Sequence, residues 1–231
     1  MSERDPLLPW LIFTGLSLFA FILLWYFGLI ERMISSDRTY VSPLICVLYV
    51  LSSLHCLWRI ILISREGHAA AETGAAVRQD GFGGSGTGLV ANHIRDLVTK
   101  AGLQGGKRVD QTLLLRVLAD RLRGSNAFGA FASDTMMKLG LLGTIIGFIM
   151  MLAPIAGLDP ENKVAVRSSM SLMSDGMAVA MYTTLAGLAA SILLKIQYGL
   201  LDSATARIFA FAVDLTEVHV VSALESRAAA E

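Results

Sequence analysis

Four long apolar runs, separated by polar stretches of unequal length, dominate the pattern along this chain. The first, Leu8 to Ile30, carries no charge. The second, Val41 to Ile63, holds His55 and Arg59 toward its C-terminal half. The third extends over about Leu139 to Leu158 and the fourth over about Met173 to Leu194. A hydrocarbon core about 30 Å thick is crossed by roughly 20 apolar residues of helix, so each run predicts a transmembrane helix, and four together speak against a soluble fold. The first run is too long for a signal-peptide core, its flank MSERDP is not basic, and no small-residue cleavage site follows it.

The polar stretches predict the organisation. A short connector, ERMISSDRTY, makes residues 1–63 an N-terminal transmembrane hairpin with spans of about 8–30 and 41–63. A long segment, residues 64–138, separates spans two and three, whereas spans three and four (about 139–158 and 173–194) are joined by a short one from Asp159 to about Met170. Arg65, Arg78, Arg95, Lys100, Lys107, Arg108, Arg116, Arg121, Arg123 and Lys138 crowd the long segment, while the short connectors hold Arg32, Arg38, Lys163 and Arg167. The excess of positive charge predicts a cytoplasmic long segment, and an even number of spans brings both termini to the same side. Arg59 and Lys195 fit, each near a helix end where its charge can snorkel toward the cytoplasm.

Within residues 64–138, SREGHAAAETGAAVRQDGFGGSGTG reads as a flexible connector from its glycine content. GFGGSGTG lacks the Lys-Ser/Thr ending of a phosphate-binding loop and follows no strand. Two amphipathic helices follow. Leu89 to Leu103 groups Leu89, Val90, Ile94, Leu97 and Val98, and Val109 to Leu122 groups Leu113, Leu114, Val117, Leu118 and Leu122; Gly102 and residues 104–106 separate them. They predict a small helical cap packed under the membrane, or, as a sharper alternative, a docking face for a cytoplasmic partner. Residues 199–231 predict a cytoplasmic C-terminal helix continuing span four, with Ile208, Phe209, Phe211, Val213, Leu215, Val218 and Val221 as a broad apolar surface. The expected fold class is an all-α membrane protein: four transmembrane helices, a helical cytoplasmic region between spans two and three, and a helical C-terminal extension.

Composition agrees. Of 231 residues, 54% are hydrophobic and only 16% charged, against about a quarter in soluble domains. Zero formal net charge gives no support for nucleic-acid binding. Cys46 and Cys56 share one apolar run and lack the spacing of a zinc site, so they read as packing residues, and no metal or other cofactor is implied.

Chemistry points to the last two spans. Span one is bulky, with Trp10, Phe13, Phe19, Phe21, Trp25, Tyr26 and Phe27, which suits a lipid-facing helix. Span three instead places Gly140, Gly143, Thr144 and Gly147 within about a third of its circumference. Span four does the same with Gly176, Ala180, Thr184, Gly187 and Ser191. Small residues at this spacing let helices approach closely in a membrane. Packing accounts for the glycines. Each threonine hydroxyl either bonds its own i−4 carbonyl and is inert, or offers a polar foothold to an ion or a partner's carboxylate. No Asp or Glu lies in the interior of any span; Asp134 and Asp175 stand near the ends of spans three and four. A proton relay normally uses a carboxylate or histidine, so a titrating group for proton conduction is expected from another chain. His55, on a bulky helix, reads as a polar packing residue. No nucleophile–base pair or His/Asp/Glu cluster supports an enzyme.

These residues also carry a resemblance. KLGLLGTIIGFI (138–149) resembles the LGLLGTVxGxI signature of the MotA/TolQ/ExbB proton channel family, and GMAVAMYTTLAGLAASI (176–192) resembles its G-[IM]-x-x-A-L-x-[AT]-T-x-x-G-[LI] signature on the last span. The resemblance covers about Asp134 to Tyr198 and marks residues 139–198 as a channel domain. It implies a homo-oligomeric ring, a pentamer, in the bacterial inner membrane, surrounding single-span partners of the ExbD/TolR/MotB kind whose Asp binds and releases protons. It also implies that Thr144 and Thr184, with Thr183 beside them, line the ion pathway. Four spans match MotA-type members, and TolQ/ExbB-type members have three. Val179 stands where TolQ/ExbB-type members carry a glutamate, which MotA-type members lack. The function implied is a proton-motive-force-driven stator; the alternative is a non-conducting membrane scaffold whose small-residue stripes serve oligomer packing and whose cytoplasmic helices recruit a partner.

Overall fold

The computed structural model describes residues 7–28, 30–31, 33, 37, 39–80, 86–104, 110–157 and 162–228. The described residues are helical almost throughout and contain no strand. The helices are α1 Leu7–Tyr26, α2 Val41–Asp80, α3 Leu89–Gln104, α4 Thr112–Arg123, α5 Ala127–Leu152, α6 Lys163–Leu215 and α7 Ser222–Ala228. A 3₁₀ turn, Ala153–Gly157, follows α5, and a π-helical turn, Thr216–Val221, joins α6 to α7.

Helix ends depart from the apolar runs where local chemistry overrides hydropathy. Helix α1 stops at Tyr26 rather than near Ile30, because Gly28 takes a left-handed conformation (φ +68°) and its N–H bonds the Trp25 carbonyl at 2.8 Å. Glycine adopts this conformation without the steric cost of a Cβ. Helix α6 begins at Lys163, well before the apolar run at Met173. The Asn162 side chain caps it, accepting bonds from the backbone N–H groups of Val164 (3.1 Å) and Ala165 (3.2 Å). Helix α5 likewise starts at Ala127, ahead of the run at Leu139, and the stretch before that run holds an Asp134–Lys138 ion pair at 2.6 Å with i,i+4 spacing.

The largest departure is α2, which continues through Ser64 to Asp80, where glycine content predicts a flexible connector. Ile60, Ile63, Ala70 and Val77 are buried, and with Gly67 and Gly74 they form a seam of alternating three- and four-residue spacing. The glycines are contact positions: a Cβ on Gly67 would touch Ile208, and one on Gly74 would come within 2.7 Å of the Phe211 ring. Helix α3 also runs through Gly102, where a break is expected. Gly81, Gly83, Gly84, Gly105, Gly106 and Val109 lie outside the described residues, as does Leu158 at the expected end of span three.

Contacts divide the chain into two units, with α2 and α6 contributing to both. One comprises residues 10–56 and 127–198. Apolar side chains stand exposed over its helices, among them Leu16, Phe19 and Trp25 of α1 and Leu141, Ile145 and Ile149 of α5. In water such a surface would drive aggregation; against lipid tails it has no such penalty. Among the described residues four helices are long and apolar enough to cross a membrane, and the chain is a multi-pass membrane protein.

The other unit comprises residues 1–9, 57–126 and 199–231. Its core packs Val90, Ile94 and Leu97 of α3, Leu118 and Leu122 of α4, Ala70 and Val77 of α2, Ala212 and Leu215 of α6, and Val220 and Val221. On α4 the buried line is Leu114, Leu118 and Leu122, at i, i+4 and i+8. Leu113 and Val117, expected on the same side, are exposed, since each stands one residue (100°) off that line. The Arg59 guanidinium closes the C-terminal end of α4, bonding the carbonyls of Leu122 (3.2 Å) and Arg123 (2.9 Å) and the Asn126 side chain (3.2 Å). Asn126 in turn donates to Asp202 at 2.8 Å.

Candidate functional site: the α5–α6 hydroxyl pair

Helices α5 and α6 lie antiparallel along a seam from which side chains are almost absent. Added to Gly140, a Cβ would meet the Gly187 Cα and the Thr183 carbonyl at 3.1 Å. One on Gly147 would meet the Ala180 nitrogen at 2.6 Å and the Gly176 carbonyl at 2.7 Å, and one on Gly176 would meet the Met151 nitrogen at 2.6 Å. Gly143 faces the Thr183 side chain, whose Cβ and Oγ1 a new methyl would approach to 2.5 Å. Further along, Ser133 and Ser191 are buried against each other, with hydroxyl oxygens 3.0 Å apart and Ser133 donating to the Ser191 carbonyl at 3.1 Å. Gly140, Gly143, Gly147, Gly176, Ala180, Gly187 and Ser191 thus meet along one contact.

The threonines separate into two kinds. Thr183 is fully buried in the seam, and its hydroxyl is turned to the Val179 (2.9 Å) and Ala180 (3.2 Å) carbonyls of its own helix. It does not take part in the Thr144–Thr184 contact. Its role is to fill the hollow over Gly143. Thr144 and Thr184 sit half-buried at the margin of the seam, and their hydroxyls bond each other across it. Each also reaches its i−4 carbonyl, Thr144 to Gly140 at 3.1 Å and Thr184 to Ala180 at 2.9 Å. Two hydroxyls carry two hydrogens and four lone pairs. Two hydrogens serve three contacts, the bond between the hydroxyls and the two to the helix carbonyls, so neither hydrogen is left over and the pair presents only lone pairs to a third group. Such a site accepts a bond from a protonated acid or water and disfavours a bare carboxylate. Val179, at the glutamate position of some related channels, is fully buried.

The same unit holds polar groups that the sequence reading left aside. Gln197 is fully buried, its Nε2 donating to the Thr14 (3.3 Å) and Tyr49 (3.4 Å) hydroxyls, while its Oε1 finds no partner among the described residues. His55 Nδ1 lies 2.7 Å from the Tyr198 hydroxyl, which also reaches the Ser52 carbonyl at 3.4 Å, and the two rings stack. Phe128 meets His55 edge-on at 5.1 Å, and the absent side chain of Gly129 leaves room for the Tyr198 ring. His55 is thus a packed, bonded residue. The visible signal for these groups was an amide followed by a phenol at 197–198, at the boundary of the apolar run.

Outside the spans, Asp37 is almost fully buried; burial pushes its carboxyl up, but hydrogen bonds from Thr39 and Ser42 outweigh this and hold it below the usual carboxylate range. Among the described residues no three His, Cys, Asp or Glu side chains are grouped to hold a metal ion. A family model, the MotA/TolQ/ExbB proton channel family, matches residues 90–211. The matched stretch is over half of the chain and reaches from α3 through almost all of α6. No curated protein and no solved structure matches the chain.

Proposed function

Because the chain belongs to the MotA/TolQ/ExbB proton channel family, we propose that it is the ring subunit of a proton-motive-force-driven stator. In this reading it is a homo-oligomer, a pentamer, in the bacterial inner membrane with both termini cytoplasmic. It encloses single-span partners of the ExbD/TolR/MotB kind, and the partner's Asp carries the proton. The family's activity is transport, not enzymatic.

The observation that carries the proposal is the bonded Thr144–Thr184 pair at the margin of a close-packed helix seam. Proton-motive force loads the partner's Asp from the non-cytoplasmic side. Protonation removes its charge and with it the cost of a carboxylate in the hydrocarbon. The neutral acid then has a hydrogen to donate, which suits a hydroxyl pair whose own two hydrogens are already taken up by each other and by the Gly140 and Ala180 carbonyls. Deprotonation toward the cytoplasm leaves a carboxylate that the pair does not favour, so the Asp moves on. Each charge moved down 100 mV releases about 2.3 kcal/mol, the energy available for a step.

A non-conducting scaffold is the second reading, favoured by one specific observation: both hydroxyls bond carbonyls of their own helices, as they would in plain packing. Proton uptake into proteoliposomes under an imposed potential separates the two. The chain with its single-span partner is expected to conduct and the chain alone to be silent. Thr184→Val should abolish the flux while the complex still co-purifies. Normal flux in that variant removes the threonine pair from the mechanism, and no flux from an intact wild-type complex favours the scaffold.

A further inference from the structure

A second polar cluster lies in the unit formed by residues 57–126 and 199–231, within the same core as Val90, Ile94 and Leu97. His93 of α3 is 4% exposed and Gln111, just ahead of α4, 7% exposed. The Gln111 amide donates to the Glu217 carboxylate on the π-helical turn. Among the described residues His93 Nε2 and Gln111 Oε1 are both buried without a hydrogen bond of good geometry, although the Gln111 side chain bears on the imidazole. A buried polar atom left unpaired costs stability, and π turns are rare and frequently found at functional sites. Three segments distant in sequence therefore meet at an incompletely satisfied polar contact.

We propose that His93, Gln111 and Glu217 form a proton-sensitive latch: with His93 neutral, α3 stays packed against the start of α4 and the π turn, and protonation of His93 loosens that packing. The groups around the imidazole define the response. On its own helix Asp96 favours the charged form. From α2 come the apolar Ala70 and Val77, with Glu66 engaged one turn earlier in accepting the Leu89 N–H at 2.9 Å. At the start of α4, Asp110 is engaged by Thr112, and Lys100 donates to the Asp110 carbonyl. From the π turn come Glu217, through Gln111, and the exposed His219. Arg95 bonds Asn92. Burial lowers the affinity of the imidazole for a proton, and Gln111 and Asp96 oppose this without reversing it. The closed packing therefore keeps its full stability above the ordinary histidine value of about 6.5 and loses it as pH falls below that value. The latch requires no proton flux and stands whatever ion, if any, the α5–α6 site carries.

Hydrogen exchange on the full chain in lipid nanodiscs tests this, with rates corrected for the intrinsic pH dependence of exchange. Amides of α3 and of the π turn should exchange several-fold faster near pH 5.5 than near pH 7.5, while the α5–α6 seam stays protected. His93→Gln should abolish the difference. Asp96→Asn, which removes the anion that favours the charged imidazole, should deepen the acid loosening. Equal wild-type protection at both pH values, or undiminished acid loosening in His93→Gln, overturns the latch. Should His93→Gln fail to fold, an acid response in Asp96→Asn identical to wild type overturns it equally.

Discussion

At the scale of single residues, the α5–α6 contact turns on what stands opposite each missing side chain. Gly147 faces backbone atoms, the Ala180 nitrogen and the Gly176 carbonyl, which cannot rotate aside as the end of a side chain can. Gly147→Ala must therefore push the helices apart, at a cost of about 1–3 kcal/mol as in other overpacked interiors. Gly15 of α1 has nothing within 4 Å of a built Cβ. Gly15→Ala gains the helix propensity of alanine, about 0.5–1 kcal/mol, so the same change should move stability in opposite directions at the two sites. Thermal unfolding of both variants in one detergent checks this, and a stabilised Gly147→Ala would contradict the packing described. The α5–α6 glycines were legible from the sequence because small residues recur there at helical spacing. Thr183 and Thr184 look alike in one dimension; only the 100° between them sends one into the seam and leaves the other at its margin.

Among elements, the start of α2 depends on Asp37. Its carboxylate accepts the backbone N–H groups of Thr39 (2.9 Å) and Ser42 (2.7 Å) and the Thr39 hydroxyl (2.5 Å), so it both turns the connector and caps the helix. Because hydrogen bonding overcomes burial and lowers its pKa, the folded form binds this proton less readily than the unfolded chain. The stabilisation is then complete above the unfolded aspartate value of about 3.9 and is lost as pH falls through the lower, folded value. Asp37→Asn should remove about 1 kcal/mol at neutral pH, the usual worth of a cap, and should shrink the stability difference between pH 7 and pH 3. Unfolding curves of wild type and variant at the two pH values give the comparison; an unchanged difference would dissociate the carboxylate from the helix start. The capping role was not legible in advance, since an Asp in a polar connector looks solvated until its partners fold around it. The continuation of α2 was missed for a related reason. Gly67 and Gly74 read as flexible where local propensity is weighed alone, and as contact positions once Ile208 and Phe211 are opposite them.

For the whole molecule, the apolar runs made the spans legible because lipid imposes one requirement on every crossing segment: some 20 apolar residues with all backbone groups bonded internally. The polar segments answer to no such single rule, and their packing emerges only with the tertiary contacts among α2, α3, α4 and α6. Charge predicts an orientation with residues 64–138 cytoplasmic, since ten Lys and Arg residues lie there and only two, Lys163 and Arg167, between spans three and four. Helix α5 separates these two regions, so they must face opposite sides if it crosses. With Cys46 and Cys56 replaced by Ala, single cysteines at Leu113 (71% exposed) and Lys163 (exposed) report each side. A membrane-impermeant thiol reagent on spheroplasts should label Lys163→Cys readily and Leu113→Cys only after the membrane is opened. The inverted pattern would place α3 and α4 outside and would reverse the direction in which the proton is loaded. Labelling of both from one face would mean that α5 does not cross, and the hydroxyl pair on its flank would then have no potential drop to work across.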